Sequence, residues 1–137
     1  SIFKGKHVLL VDDVELNREI GEFILSSAGF EVTCLEDGKN AVVYMQNAKP
    51  GDVDLILMDL MMPIMDGYTA ARLIRNLPDK QVAATPIIAL TANAFEDTKQ
   101  EVMAAGMNGH LAKPINKDEL YKNLAGFFEQ MSTPPDM

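Results

Sequence analysis

Three carboxylates, a hydroxyl and a lysine stand at the ends of four separate apolar runs: Asp12 and Asp13 after HVLLV, Asp59 after LILM, Thr91 after IIAL, and Lys113 after HLA. Carboxylates gathered in one place cannot all remain ionised unaided, because each like charge raises the pKa of its neighbours. A divalent cation resolves that repulsion, and an oxygen-only set with few ligands suits Mg²⁺ better than zinc or a fully caged Ca²⁺. Lys113 and Thr91 supply an ammonium and a hydroxyl able to reach oxygens of a group carried on Asp59. The chemistry this set predicts is phosphoryl transfer. The Asp59 carboxylate attacks phosphorus, Mg²⁺ and Lys113 offset the negative charge, and an acyl phosphate forms.

The elements that must position these groups follow from hydrophobic patterning. The apolar runs are short and rich in Val, Ile and Leu, and each is followed by a segment of helical period, which is how strands buried on both faces of a parallel sheet read. Strands are expected over residues 7–11, 31–35, 55–58, 87–90 and 109–112, and helices near 15–28, 40–48, 68–77, 96–105 and 117–130. This alternation predicts an α/β fold, a five-stranded parallel sheet doubly wound with five helices. Its polar chemistry falls at strand C-termini, the edge where open α/β sheets bind ligands. Leu16, Ile20, Phe23 and Ile24 recur at helical spacing, as do Leu120, Leu124, Phe127 and Phe128, and each stripe is expected to face the sheet. Asn116 with Glu119 resembles a capping box, and Gly29 and Gly106 fall where left-handed caps end helices. Residues 79–86 read as a surface connection, and Lys113-Pro114 as a tight turn able to hold a cis peptide.

A chain of 137 residues that is 47% hydrophobic forms one core, and its formal charge of −8 disfavours nucleic acid and anionic membranes. One domain over residues 1–130 is expected, with a flexible tail or linker over 131–137. Cys34 has no second cysteine to pair with and reads as a small strand residue. No apolar stretch approaches a bilayer span, so a soluble, cytoplasmic location is expected. Met58, Met61, Met62 and Met65 surround Asp59, but Mg²⁺ rejects thioethers and these read as packing. His7 and the Glu36-Asp37 pair read as structural and solvated residues.

VLLVDD, LILMDLMMPIMDG, PIIALTANA and GHLAKPI, in that order and at these separations, resemble the receiver domain of two-component response regulators, most closely the receivers of hybrid sensor histidine kinases. The resemblance covers almost the whole chain. It implies a flavodoxin-like strand order 2-1-3-4-5, which makes the first and third strands neighbours and brings the three carboxylates together. It further implies Asp59 as phosphoacceptor, Mg²⁺ held by Asp12, Asp13, Asp59 and the backbone carbonyl of Met61, Thr91 as switch hydroxyl and Lys113 as phosphoryl contact. His110 stands where many receivers carry a switching Tyr or Phe, and receivers of hybrid kinases often have His there. The implied donor is a histidine kinase or histidine phosphotransfer domain. The face of the last two predicted helices is the expected output surface and a place for receiver homodimerisation.

Readings from other classes are weaker. An aspartyl-phosphate phosphohydrolase of the haloacid dehalogenase type needs a second Asp two residues after the nucleophile, where Asp59 has Met61 and Asp12 has Val14. A flavin or nucleotide carrier would want a Gly-rich loop after the first strand, which is absent. A degenerate receiver serving only as an interaction module would not need the complete residue set.

Overall fold

The computed structural model describes residues 2–92 and 96–132. The chain runs β1 (His7–Val11), α1 (Glu15–Ser27), β2 (Glu31–Leu35), α2 (Gly38–Gln46), β3 (Leu55–Asp59), α3 (Gly67–Arg75), α4 (Lys80–Ala83), β4 (Ile87–Thr91), α5 (Glu96–Ala104), β5 (Gly109–Ala112) and α6 (Lys117–Ser132). All strand pairs are parallel, in the order β2-β1-β3-β4-β5. The expected strands are all present, and β3 and β4 each extend one residue further, to Asp59 and Thr91.

Alternation along each central strand divides the core in two. Leu9, Val11, Ile56, Met58, Ile87 and Ala89 pack with Ala41, Met45, Ala70, Ile74, Val82 and Val102 from α2 to α5. Val8, Leu10, Leu55, Leu57, Ile88 and Leu90 pack on the other face with Leu25 of α1 and Leu120, Leu124 and Phe128 of α6. Both faces are therefore covered, which is why the strands carry continuous apolar sequence rather than a period of two.

Three expectations need correction or refinement. The connection over 79–86 contains a sixth helix, α4, because Asp79 caps it through Gln81 and Val82 N–H at 2.9 and 3.2 Å while Val82 and Ala83 bury. The α1 stripe does not face the sheet as a whole: Leu16, Ile20 and Phe23 are 60%, 46% and 73% exposed, while Gly21 and Leu25 are buried. A Cβ at Gly21 would stand 2.7 Å from Leu10 Cδ2, so α1 lies against β1 at its glycine, and Leu16, Ile20 and Phe23 turn outward. Ile24 alone of that stripe packs against the core, whereas Leu120, Leu124 and Phe128 of α6 do so as expected. Of the residues expected to form a tail, Met131 and Ser132 continue α6, and 133–137 lie outside the described residues.

Asn116 supplies the N-cap half of the expected box, and the two expected glycine caps form. Asn116 Oδ1 accepts from Glu119 N–H at 3.0 Å, and Gly29 and Gly106 adopt φ of 107° and 93° at the ends of α1 and α5. The Lys113-Pro114 peptide is cis. Cys34 is partly buried, and burial, with the Glu22 carboxylate beside it, pushes its thiol up to about 11, outweighing the opposing Arg18 charge.

A guanidinium closes the edge of the sheet opposite the strand C-termini. Arg75, at the end of α3, donates to the carbonyls of Gly106, Ala83 and Thr85 at 2.7, 2.6 and 2.7 Å and to Asn108 Oδ1 at 2.9 Å. It joins α3, α4, the α4–β4 connection and the α5–β5 connection at one point, three of its acceptors being main-chain carbonyls and the fourth, Asn108 Oδ1, also accepting from Ile87 N–H at 2.9 Å. Arg75→Ala is expected to cost about 3 kcal/mol or more of unfolding free energy in urea titration, on the scale of losing several charge-assisted hydrogen bonds at once.

Candidate functional site

β1 and β3 are hydrogen-bonded neighbours, and the chain leaves their C-terminal ends on different courses, so a crevice opens between them. Asp12, one residue beyond β1, and Asp59, the last residue of β3, are 2% and 4% exposed, while Asp13 is exposed at the rim. One carboxylate oxygen from each of the three lies within 4.8 Å of the others. Lys113, just past β5, enters from the far side: its Nζ donates to Asp59 Oδ2 at 2.9 Å and to Asp12 Oδ2 at 3.4 Å. Its backbone N–H donates to Thr91 O at 2.8 Å, which seats the lysine beside the buried end of β4. Asp12, Asp13, Asp59, Lys113 and Thr91 thus converge, although 101 residues separate Asp12 from Lys113. His110 is half-buried on β5 opposite Ala89 of β4 and lines a groove of about 370 Å³ with Lys122, Asn123 and Phe127 of α6.

Local hydrogen bonds aim the carboxylates. Asp12 Oδ1 accepts from Val14 N–H at 2.9 Å and from Asn17 Nδ2 at 3.5 Å, so Asp12 rather than Asp13 makes the turn into α1. The α1 N-cap, Val14, makes no side-chain cap. Asp59 Oδ1 accepts from Met61 N–H at 3.3 Å. Met61 is 79% exposed, so its thioether stands clear of the carboxylates. The loop then folds tightly: Met65 N–H donates to Pro63 O at 2.7 Å about Ile64, whose φ is 72°. A β-branched residue rarely adopts that conformation, and here it belongs to a γ-turn. Asp66 caps α3 by accepting from Thr69 N–H at 2.8 Å. Gly67 N–H donates to Leu60 O at 3.0 Å, and any Cβ on Gly67 would collide with the backbone of Asp59 and Leu60. Only glycine lets α3 begin so close beneath Asp59.

The charges oppose and offset one another. Burial raises the Asp59 pKa above the ordinary carboxylate range; the Lys113 hydrogen bond and charge pull it down, and Asp12 pushes it up again. Burial pulls Lys113 down, but its bonds and charge pairing with Asp59 and Asp12 prevail and raise it. The lysine is held charged, while one ammonium does not fully compensate the buried Asp59 carboxylate. That imbalance, in an all-oxygen set of three carboxylates, fits a hard divalent cation.

Sequence patterning did not disclose two contributors. Arg18, in the first turn of α1, donates from Nη1 to Asp12 O at 2.8 Å, and Asn17 reaches the Asp12 carboxylate. Both lie on a helix whose apolar spacing draws the eye, and no motif marks them. Gly67 was legible only as turn chemistry, since its role depends on where β3 ends.

The chain matches the family model for the response regulator receiver domain over residues 8–125. It is 36% identical to histidine kinase 2 of Arabidopsis thaliana over 146 residues, covering 93% of this chain and 12% of that kinase. The chain therefore spans about an eighth of the length of such relatives. Among solved structures, the receiver domain of a sensor histidine kinase from Pseudomonas aeruginosa, with a magnesium ion coordinated in its active-site cleft, superposes with a TM-score of 0.80. Its identity is 39%, over 91% of this chain and 98% of that one. The chemotaxis response regulator CheY4 of Vibrio cholerae gives a TM-score of 0.80 at 35% identity, over 90% of this chain and 98% of that one. With the acidic cluster at its strand ends and the doubly wound 2-1-3-4-5 sheet, the chain belongs to the receiver domains of two-component signalling systems.

Proposed function

We propose that this receiver accepts a phosphoryl group on Asp59 from the phosphohistidine of a histidine kinase or phosphotransfer domain. The observation that carries the reading is the placement of Asp59, a buried carboxylate within 2.9 Å of a charged lysine and beside two further carboxylates. Asp12, Asp13, Asp59 and the main-chain carbonyl of Met61 would hold Mg²⁺. When bound, the cation would neutralise the cluster and withdraw charge from phosphoryl oxygens. An Asp59 oxygen attacks phosphorus, the P–N bond breaks, and the imidazole leaves with the bonding electron pair. Lys113 offsets the charge on the transferred group, and positioning supplies most of the rest.

The donor must reach Asp59 from outside, and the exposed face of α1 supports a docking route. Ile20 lines a cavity of about 50 Å³ together with Asp12, Asn17, Lys113, Pro114 and Ile115. Leu16, Ile20 and Phe23 extend that apolar rim away from the site. A phosphodonor helix laid there would present its histidine at the carboxylates. No helix among the described residues is long and apolar enough to cross a membrane. The family resemblance supports placement in the cytoplasm, and residues 1–130 as the receiver unit with the rest as linker.

Phosphorylation shifts a conformational equilibrium only where one state contacts the new group better. Thr91 and Lys113 supply that difference in this reading. Movement of Thr91 toward the phosphoryl group would be relayed through β4 to His110 on β5, altering the face of α5, β5 and α6. That face is the proposed output surface, available to a second receiver.

Three results are expected. Incubation with Mg²⁺ and a small acyl phosphate adds one hydroxylamine-labile phosphoryl group by intact mass. Asp59→Asn or chelation of the metal abolishes the addition, and persistence of the adduct in the variant would displace the acceptor assignment. Thr91→Ala still takes the group but loses the NMR shifts at β5 and α6; shifts that persist would remove Thr91 from the relay. Third, an acid whose folded pKa stands above its unfolded value costs stability once pH rises past the ordinary carboxylate range. Metal-free Asp59→Asn is therefore expected to be more stable than wild type at pH 7, with a higher urea midpoint. The difference narrows as pH falls through the raised Asp59 pKa toward the ordinary carboxylate range and is gone below it, and saturating Mg²⁺ narrows it at neutral pH. A less stable Asp59→Asn at pH 7 would mean that the Lys113 pairing outweighs burial.

A further inference from the structure

Arg18 occupies a place that helix energetics does not explain. It lies in the first turn of α1, whose partial positive charge disfavours a cation by about 0.3–1 kcal/mol. Its ion pair does not compensate: Nη2 lies 3.9 Å from Glu36 Oε1, and the Glu36 side chain is 74% exposed, a geometry worth little in water. Yet the Arg18 side chain is only 16% exposed. What it touches is the backbone of the site, since Nη1 donates to the Asp12 carbonyl at 2.8 Å.

That carbonyl needs a partner. Asp12 N–H continues the sheet onto Leu35 O at 3.1 Å, but β2 ends at Leu35 and the chain turns into α2. The carbonyl also belongs to the planar peptide unit that joins Asp12 to Asp13. Fixing it fixes the rotation of the link between two of the three carboxylates. Val14 N–H pins Asp12 Oδ1 at 2.9 Å, so Asp12 is held at its amide, its carbonyl and its side chain. Asp13, exposed at the rim, takes its placement from that link alone among these bonds.

We infer that Arg18 is a positioning residue for the divalent cation, holding the Asp12–Asp13 peptide so that both carboxylates meet the same ion. This rests on the reading of the cluster as a Mg²⁺ site. The sign of its effect separates positioning from charge. Removing a nearby cation by itself strengthens binding of another cation, whereas loosening the peptide weakens it. A residue serving only the fold would change the unfolding midpoint and leave metal affinity in the folded protein alone.

The test is Mg²⁺ affinity by calorimetry, well below the unfolding midpoint, for wild type, Arg18→Met and Glu36→Gln. Arg18→Met keeps the length and packing while removing donor and charge; Arg18→Gln serves in its place if that variant does not fold. The expected result is about a tenfold loss of affinity in the Arg18 variant, the usual effect of removing a group that orients metal ligands, with Glu36→Gln unchanged. Equal or tighter Mg²⁺ binding by the Arg18 variant overturns the inference, as does an equal loss in Glu36→Gln, which would assign the effect to the ion pair. Wild type that binds Mg²⁺ while the variants match it removes this inference alone. Wild type that binds no Mg²⁺ removes the metal reading, and the inference with it.

Discussion

Two buried carboxylates share one ammonium at the crevice between β1 and β3, and the rest of the fold is arranged around that shortage of positive charge. Left alone, Asp12 and Asp59 repel each other in a setting where water screens poorly. Lys113 relieves part of the repulsion from the end of β5, and backbone N–H groups of Val14 and Met61 relieve more. The remainder makes the pocket receptive to a cation. A site fully neutralised by its own residues would be more stable and would have less use for metal. The instability is local, and the two cores of apolar side chains on either face of the sheet are large enough to sustain it.

Rigidity beneath Asp59 complements this. Gly67 allows the first turn of α3 to sit against the strand end, and the γ-turn at Ile64 folds the intervening loop back with a left-handed residue. Backbone in sparsely populated conformations persists only where its surroundings over-determine it, and it concentrates at sites where geometry matters more than stability. On the opposite edge Arg75 gathers four acceptors from α4, the α4–β4 connection and the α5–β5 connection, anchoring the C-terminal end of α5.

Much of this was legible in the sequence, for identifiable reasons. The strands were readable because residues buried on both sides leave uninterrupted apolar runs, and the site was readable because each polar residue follows such a run. The orientation of α1 is not legible because helical spacing reports that a helix has an apolar stripe without reporting what covers it. Gly21 carries no hydrophobic signal, yet it is the residue that lets α1 lie against Leu10. α4 is not legible because Asp79 serves turns and helix caps alike, and four residues are too few to show a period. The tasks of Arg18 and Arg75 depend on carbonyls left unpaired where strands and helices end, and no residue pattern announces those positions.

The contact between Lys113 and Asp12 spans most of the chain. During synthesis β1, β2 and β3 emerge long before β5, so a nascent chain carries its acidic cluster for many residues without the ammonium that belongs to it. The strand order deepens the delay, because β4 must dock on β3 before β5 has an edge to join. A chain halted before residue 113 would carry the carboxylates of β1 and β3 without the lysine that donates to Asp59 and Asp12, and without the α6 residues that cover one face of the sheet. The positive charge of the cluster thus arrives only once β5 has paired with β4, long after the carboxylates it contacts.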